Sequence, residues 1–359
     1  MKKNIYFNGR FLTQSITGVQ RTAYELMIAL DILLEVDKTF KEQFSFVLIY
    51  SGELINPIHL RNITLQKKGF LKGNLWEQLL LPYYTYGSIL ISMCMVAPLI
   101  KRKQIIIVHD ASFKVNPSFF SLTFRIWYRF AISILGSRSK QIITVSNFSR
   151  QELIEKVGIP PTKISVIYNA ADHMLRFKDV DESFKVKINA IKPYCLAVSS
   201  LSLNKNFGML TKALEKVDFS LFKMIIAGGI SNSLSKIRLN DSVEHIGYVT
   251  DQQLKYLYSN ATLFIFPSIY EGFGIPPLEA MYCGCPVLAS NSSSLPEVLG
   301  DACQYLDPRD PDDIASKIHY LINNESMLYK LQIAGLVQAQ KYSWKHSAIQ
   351  LLKLIEKYV

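Results

Sequence analysis

Two carboxylates bracket a glycine- and proline-rich run in Glu271-Gly-Phe-Gly-Ile-Pro-Pro-Leu-Glu279. The run follows the apolar stretch Leu263-Phe-Ile-Phe266 and the loop Pro267-Ser-Ile-Tyr270, so it reads as the joint between a strand and a helix. Gly272 and Gly274 carry no Cβ and let backbone approach a ligand closely. Pro276 suits a first helical turn, which places Glu279 on that turn. Backbone N–H groups and the helix dipole at such a joint favour an anion, for example a phosphate. The flanking carboxylates can each accept hydrogen bonds from paired hydroxyls, which riboses and hexoses offer. The spacing alone leaves open an ordinary structural joint with a surface glutamate at either end.

His109 is a second candidate. It closes the apolar run Gln104-Ile-Ile-Ile-Val108. Open parallel sheets bind ligands beyond the carboxyl ends of their strands, so His109 is expected to face a cleft. Asp110 beside it would orient the loop or touch a substrate. Metal chemistry is not expected. Asp310-Pro-Asp312 has the form of a diphosphate-metal motif, but it stands at a helix start, where aspartates cap and complement the dipole. The five cysteines include no CxxC pair and read as reduced thiols.

The elements that must position these residues alternate along the chain. Strands are expected at Lys3–Phe7, Phe44–Tyr50, Gln104–Val108, Gln141–Val145 and Ile164–Tyr168, with helices at Gly18–Leu34, from Pro117 to about Leu135, and from Ser146 to Lys156. The second half repeats the pattern. Its strands are Tyr194–Val198, Phe222–Ala227, Val243–Ile246, Leu263–Phe266 and Pro286–Ala289. Its helices are Asn206–Lys216, Asp251–Ser259, Pro276–Cys283 and Pro311–Ile322. Strands separated by helices imply parallel sheets, and two such series in 359 residues imply an α/β chain of two Rossmann-like domains. The expected domains are residues 1–172 and 173–342, with the natural ligand site in the cleft between them.

Charge is one-sided. Residues 1–170 hold 21 Lys and Arg against 10 Asp and Glu, and residues 171–359 hold 19 of each. A basic first half attracts anions, whether nucleic acid or an anionic membrane. The segment Pro117–Lys140 mixes Phe119, Phe120, Phe124, Trp127 and Phe130 with Arg125, Arg129 and Lys140, which suits either a membrane interface or a core helix with a charged rim. Leu79 to Ile100 carries no charge and precedes Lys101-Arg-Lys103, yet Pro82, Gly87 and Pro98 break it into a helix end, a turn and a short strand instead of a membrane span. The opening residues lack the apolar core of a signal peptide, and a cytoplasmic location is expected.

The ordered set of motifs resembles a known family over nearly the whole chain. Glu271-GFGIPPL-Glu279 is similar to the Glu-x7-Glu signature of retaining glycosyltransferase family 4. Further stations are Gly18-Val-Gln-Arg21, Val108-His-Asp110, Thr144-Val-Ser-Asn-Phe-Ser149, Asn204-Lys-Asn206, Gly228-Gly229, Gly247-Tyr-Val249 and Ser343-Trp344. The opening Asn8-Gly-Arg-Phe-Leu-Thr-Gln-Ser-Ile-Thr-Gly-Val-Gln-Arg21 resembles the subgroup that includes bacterial polysaccharide mannosyltransferases. The resemblance implies the GT-B fold of two facing Rossmann-like domains, with residues 343–359 packing back on the first. It implies hexose transfer, mannose first, from a nucleotide-diphosphate sugar to a growing lipid-linked glycan. Neither cofactor nor metal is implied, and the place of work would be the cytoplasmic side of a membrane.

The same resemblance assigns Glu271 to the transferred sugar, the backbone of Gly272, Phe273, Gly274 and Ile275 to sugar and phosphate, and Glu279 to the ribose. Lys205 would face the diphosphate, where a cation stabilises the leaving charge. Gly18 would close near donor and acceptor, Val249 near the base, His109 near the donor sugar, and Ser200 near the phosphates. Asn204 stands where the family often carries Arg, and Ser200 near a position where some members supply another, so Lys205 would meet the diphosphate with fewer side-chain cations. Alternatives are a nucleotide-sugar epimerase or phosphorylase of the same fold and, in a different class, a basic nucleic-acid-binding protein for which no motif is present.

Overall fold

A computed structural model describes residues 2–199, 202–229 and 242–359. The chain forms two compact units. One is Met1–Asn169 together with Trp344–Val359, and the other is Ala170–Ser343.

The first unit is built on a seven-stranded sheet of order β3-β2-β1-β4-β5-β6-β7. The strands are β1 (Lys3–Asn8), β2 (Phe44–Tyr50), β3 (Thr64–Lys67), β4 (Ile89–Ser92), β5 (Gln104–Ile107), β6 (Gln141–Thr144) and β7 (Ile164–Val166). Every pairing is parallel. The inner strands are near-continuous apolar runs because both faces are covered by helices. Helix α1 (Gly18–Val36) follows β1, and a continuous helical segment, residues 73–84, follows β3. Helix α2 (Leu122–Arg138) links β5 to β6.

Residues 79–100 form no spanning element. They are the end of the helical segment, a turn at Thr85–Ser88, strand β4 and a loop, and no helix among the described residues is long and apolar enough to cross a membrane. The aromatic helix also differs from expectation. Pro117–Phe119 is a separate 3-10 turn, Phe120 is extended, and Ser121 restarts the chain as the N-cap of α2, its Oγ accepting the Phe124 N–H at 3.4 Å.

The second unit holds a six-stranded parallel sheet of order β10-β9-β8-β11-β12-β13 among the described residues. Its strands are β8 (Tyr194–Ser199), β9 (Lys223–Gly228), β10 (Val243–Gly247), β11 (Leu263–Phe266), β12 (Val287–Ser290) and β13 (Gln304–Leu306). Among the described residues, its helices of eight or more residues are α3 (Glu182–Asn189), α4 (Phe207–Leu214), α5 (Asp251–Asn260), α6 (Ile275–Tyr282), α7 (Pro311–Ile322) and α8 (Glu325–Ala339). Leu210, Ala213 and Leu214 of α4 pack with Ile314, Ile318 and Leu321 of α7 over Cys195, Met224 and Leu288 of the sheet. Asp310 is the N-cap of α7 and accepts the Asp312 N–H at 2.8 Å, while Asp312 pairs with Lys216 at 2.5 Å. The final helix, α9 (Trp344–Tyr358), lies against α1 in the first unit, and Ser347 Oγ donates to Tyr168 O at 2.6 Å.

Candidate active site

Because β8 and β11 are neighbours, the loops leaving their carboxyl ends emerge side by side. Lys205 ends a 3-10 turn, Leu203–Lys205, that is stitched to the facing loop. The Ile269 N–H and the Ser268 hydroxyl both donate to Asn204 O, at 2.8 and 2.9 Å, and Asn204 Nδ2 donates to Tyr270 O at 3.0 Å. Asn206 takes a left-handed conformation, φ 59°, and its Nδ2 reaches Pro267 O at 3.1 Å and Pro308 O at 2.6 Å. This frame sets Lys205 Nζ 2.6 Å from Glu271 Oε1 and 4.8 Å from the Phe266 ring centroid.

The Glu271 oxygen also accepts from Ser268 Oγ at 2.5 Å and Asn204 Nδ2 at 3.4 Å. Its backbone is held as well. The N–H donates to Ser293 Oγ and the C=O accepts from Ser294 Oγ, both at 2.9 Å. Lys205 is 18% and Glu271 14% exposed, so the pair is largely withdrawn from water and its charges are strongly felt. Lys205 has three N–H donors and Glu271 uses one, so the ammonium can meet an incoming phosphate oxygen without releasing the carboxylate.

Beyond Glu271 the chain turns into α6. Gly274 is the N-cap with φ 100°, while Gly272 is not among the left-handed glycines. A Cβ at Gly274 would lie 2.5 Å from Leu295 Cδ2, so packing as well as backbone requires glycine there. Pro276 and Pro277 have no N–H, so the first turn of α6 offers an anion fewer donors than a standard helix start. Gly272, Phe273, Gly274 and Ile275 are all buried, with the Phe273 ring edge-on to Tyr342 at 5.6 Å.

Gly18 contrasts with Gly274, because a side chain there would meet nothing within 4 Å. Gly274→Ala is expected to cost about 1–3 kcal/mol through strain alone. Gly18→Ala is expected to change stability by less than about 0.5 kcal/mol, as for an open surface site. Chemical denaturation of the two variants checks the difference.

Glu279 departs from expectation. The helix begins at Ile275, which makes Glu279 its fifth residue, buried on the second turn where the first was expected. His173 Nε2 lies 3.0 Å from Oε1, within hydrogen-bond distance. Tyr258 donates its hydroxyl to Oε2 at 3.2 Å. Burial, with Glu279 beside it, holds the Tyr258 hydroxyl well above its ordinary titration range, so it stays a donor. Val249 sits half-buried in the loop after β10, just before the Thr250 cap of α5. Ser200 lies outside the described residues.

In the first unit His109 is buried, and Nε2 bonds the Met93 carbonyl oxygen at 2.9 Å. That nitrogen therefore donates and is committed to the loop after β4, at the strand end where the ring was expected to face a cleft. Asp110 Oδ1 accepts the Ser112 N–H at 2.8 Å and orders the loop. Burial pushes the His109 pKa below 6.5, against the raising effects of Met93 O and Asp110. The unfolded chain protonates at 6.5 while the folded chain resists, so this contribution is complete above pH 6.5 and is lost as pH falls through the folded pKa. The melting temperature is expected to fall between about pH 7.5 and about pH 5.5, and His109→Gln, which keeps a donor for Met93 O, is expected to flatten that dependence.

The comparisons with known proteins bear on this geometry. A family model described as "Glycosyl transferases group 1" matches residues 179–336, and one described as "Glycosyltransferase Family 4" matches residues 84–174. Both models describe glycosyltransferases, and together they match 249 of the 359 residues. O-antigen chain mannosyltransferase B of Escherichia coli is 32% identical over 230 residues, which is 60% of each chain. O-antigen chain mannosyltransferase RfbU of Salmonella typhimurium is 31% identical over 226 residues, again 60% of each. The matched region thus spans about 60% of the length of these curated relatives. Anabaena Alr3699/HepE, solved with UDP and glucose, superposes with a TM-score of 0.71 at 17% identity, covering 99% of this chain and 100% of that one, which shows a shared GT-B fold.

The predicted residues fall into two sets. Lys205 and Glu271 are in contact, and Gly272 to Glu279 continue from them through one turn into α6. His109 and Gly18 belong to the other unit. Several neighbours went unpredicted. Ser268, Ser293 and Ser294 fix Glu271, and His173 and Tyr258 fix Glu279. In the first unit Arg10 Nη1 pairs with Glu77 Oε2 at 2.6 Å, and Asn8 Nδ2 donates to Oε1 at 2.7 Å, beside the carboxyl end of β1. A lone glutamate inside an uncharged stretch was the available signal, since such a group needs a buried partner.

Proposed function

We propose that this chain transfers a hexose, mannose by preference, from a nucleotide-diphosphate sugar to a glycan acceptor with retention of configuration. The observation that carries the reading is the Lys205–Glu271 pair at 2.6 Å, set beside a buried glycine turn at the start of α6. In the reaction the bond from the sugar's anomeric carbon to the β-phosphate oxygen breaks with its electron pair on that oxygen. Lys205 stabilises the charge that develops there. Glu271 hydrogen-bonds the sugar hydroxyls and holds the ring. The acceptor hydroxyl bonds to the same face of the carbon, and its proton passes to the leaving phosphate. Glu279, oriented by His173 and Tyr258, takes the ribose hydroxyls, with Val249 beside the base.

The mannosyl donor is favoured by the names of the O-antigen relatives. An acceptor carried on lipid, at the inner face of a membrane, agrees with the basic first half. Lys205 would supply to the diphosphate the positive charge that a divalent metal supplies in other transferases, so we expect transfer to persist in a chelator. Loss of activity in chelator with recovery on adding a divalent cation would contradict that expectation.

Screening GDP-mannose and other nucleotide sugars by thermal stabilisation tests the donor site, since a ligand at 100 times its Kd stabilises by about 2.7 kcal/mol. The expected result is a shift with GDP-mannose that Lys205→Met abolishes. Absence of a shift with every nucleotide sugar would overturn the reading. Conversion of the donor without acceptor would point to an epimerase.

A further inference from the structure

We propose that one face of the first unit docks on an anionic lipid bilayer through two parallel lines of exposed apolar side chains set among cations. This deepens the membrane partner of the proposed function by naming the surface. Residues 54–151 contain thirteen Lys and Arg but only two acids, Glu77 and Asp110. Glu77 is buried against Arg10, and Asp110 is half-buried and bonded to the Ser112 N–H. The surface of this stretch therefore carries almost no negative charge.

Two helical segments in this stretch leave large apolar side chains in water at intervals of four residues, hence along one line each. On residues 73–84 these are Leu75, Leu79 and Tyr83, 62%, 60% and 75% exposed, continued by Tyr86 at 90%. On α2 they are Leu122, Ile126 and Phe130, all more than half exposed. Phe70 before the first segment in the chain and Ile100 after it are exposed as well. Lys67, Lys68 and Lys72 precede the first line and Arg102 follows it, all exposed, and Arg129 is exposed within the second.

The strand register places both segments on one side of the sheet. Tyr6 pairs with Val47 and Leu90, Leu90 with Gln104, Ile106 with Ile142, and Ile142 with Ile164. Directly paired residues, and residues two apart on one strand, share a face. Trp76 and Leu81 pack on Ile49 and Leu90. Ala131, Ile132 and Leu135 of α2 pack with Ile106, Ile142 and Ile164. Both segments thus turn their inner sides to the same sheet face, and the two exposed lines belong to one helical layer.

The charge selects the occupant. A second copy would bring the same basic surface and be repelled. Nucleic acid would match the cations and leave Leu75, Leu79, Leu122 and Ile126 without a use, since aliphatic groups do not stack on bases as aromatic rings do. An anionic leaflet accepts both. Apolar side chains enter the headgroup boundary while Lys and Arg stems reach the phosphates. The uncharged run 79–100, which ends at Lys101-Arg102-Lys103, lends part of this surface without crossing anything.

Co-sedimentation of the full chain with phosphatidylcholine vesicles, with and without phosphatidylglycerol, tests the assignment. Binding is expected only with the anionic lipid, falling as salt rises from about 0.1 to about 1 M, where the Debye length drops from about 10 to about 3 Å. Leu79→Ser/Tyr83→Ser and, separately, Leu122→Ser/Ile126→Ser are each expected to weaken vesicle binding tenfold or more. Their melting temperature and its shift with nucleotide sugar should be unchanged. Lys67→Glu/Lys68→Glu should weaken it similarly.

Vesicle binding unaffected by both apolar double variants would overturn the proposal. So would equal binding to neutral vesicles, a concentration-dependent dimer abolished by the same variants, or tight duplex DNA binding with none to vesicles. The donor shift separates the two readings. A shift without vesicle binding sinks this surface alone, and vesicle binding without a shift sinks the donor site alone.

Discussion

Glu271→Ala is expected to slow sugar transfer by about 10²-fold or more while the protein stays folded, because losing one preorganised polar partner at a reacting centre costs ~2–4 kcal/mol. The carboxylate is preorganised by three donors, from Lys205, Ser268 and Asn204, all reaching the same Oε1. The backbone bonds to Ser293 and Ser294 do not depend on the side chain, so the loop should survive the truncation. The loss should appear in kcat/KM of protein that still folds, with a lowered melting temperature because Lys205 loses its counter-charge. Glu271→Gln separates charge from shape. It can still accept from Ser268 and Asn204 but no longer neutralises Lys205. If orientation of the sugar is what matters, Gln should retain more activity than Ala. Near-normal turnover of folded Glu271→Ala would remove Glu271 from the mechanism.

Arg10→Met is expected to destabilise the first unit by about 3 kcal/mol, the lower end of the range for stripping one partner from a buried ion pair. The lower end applies because Arg10 is 22% exposed, while Glu77 is only 3% exposed. Asn8 would keep its bond to Glu77 Oε1, but the carboxylate would lose its counter-charge. Burial already raises the Glu77 pKa above 4.5, with Arg10 the main opposing influence. In the variant the folded state therefore holds a proton that the unfolded state has released, so stability falls as pH rises from about 4.5 towards the raised folded pKa. The deficit against wild type should be largest near neutrality and shrink in mild acid. Denaturant midpoints measured across pH check this. Arg10→Met/Glu77→Gln should recover most of the loss, because no unpaired charge remains. A single variant as stable as wild type at neutral pH would show that Glu77 is solvated by other means.

The inner strands were legible because each is a short apolar run buried on both faces. The edge strands β3 and β13 were not. Thr64-Leu-Gln-Lys67 and Gln304-Tyr-Leu306 pair on one side only and lack that apolar signature. Helix α8 escaped notice because its apolar residues do not gather on one side. At the site, the string from Glu271 to Glu279 marked a ligand-binding joint through residue types alone, since glycine, proline and carboxylate each restrict what a turn can do.

Sequence by itself determined the α/β class, the position of the joint after β11, and the excess of positive charge in the first half. These follow from local periodicity, local backbone chemistry and simple counting. Only the tertiary structure decided which groups meet. Lys205 reaches Glu271 across 66 residues because β8 lies next to β11, and His173 reaches Glu279 across 106 because the 3-10 turn it sits on, Asp172–Arg176, packs against α6. Strand order and register are set by the packing of whole faces, a sum over many distant side chains. No window of sequence contains that sum, and so none could show that Glu279 is buried or that the two exposed apolar lines share a layer.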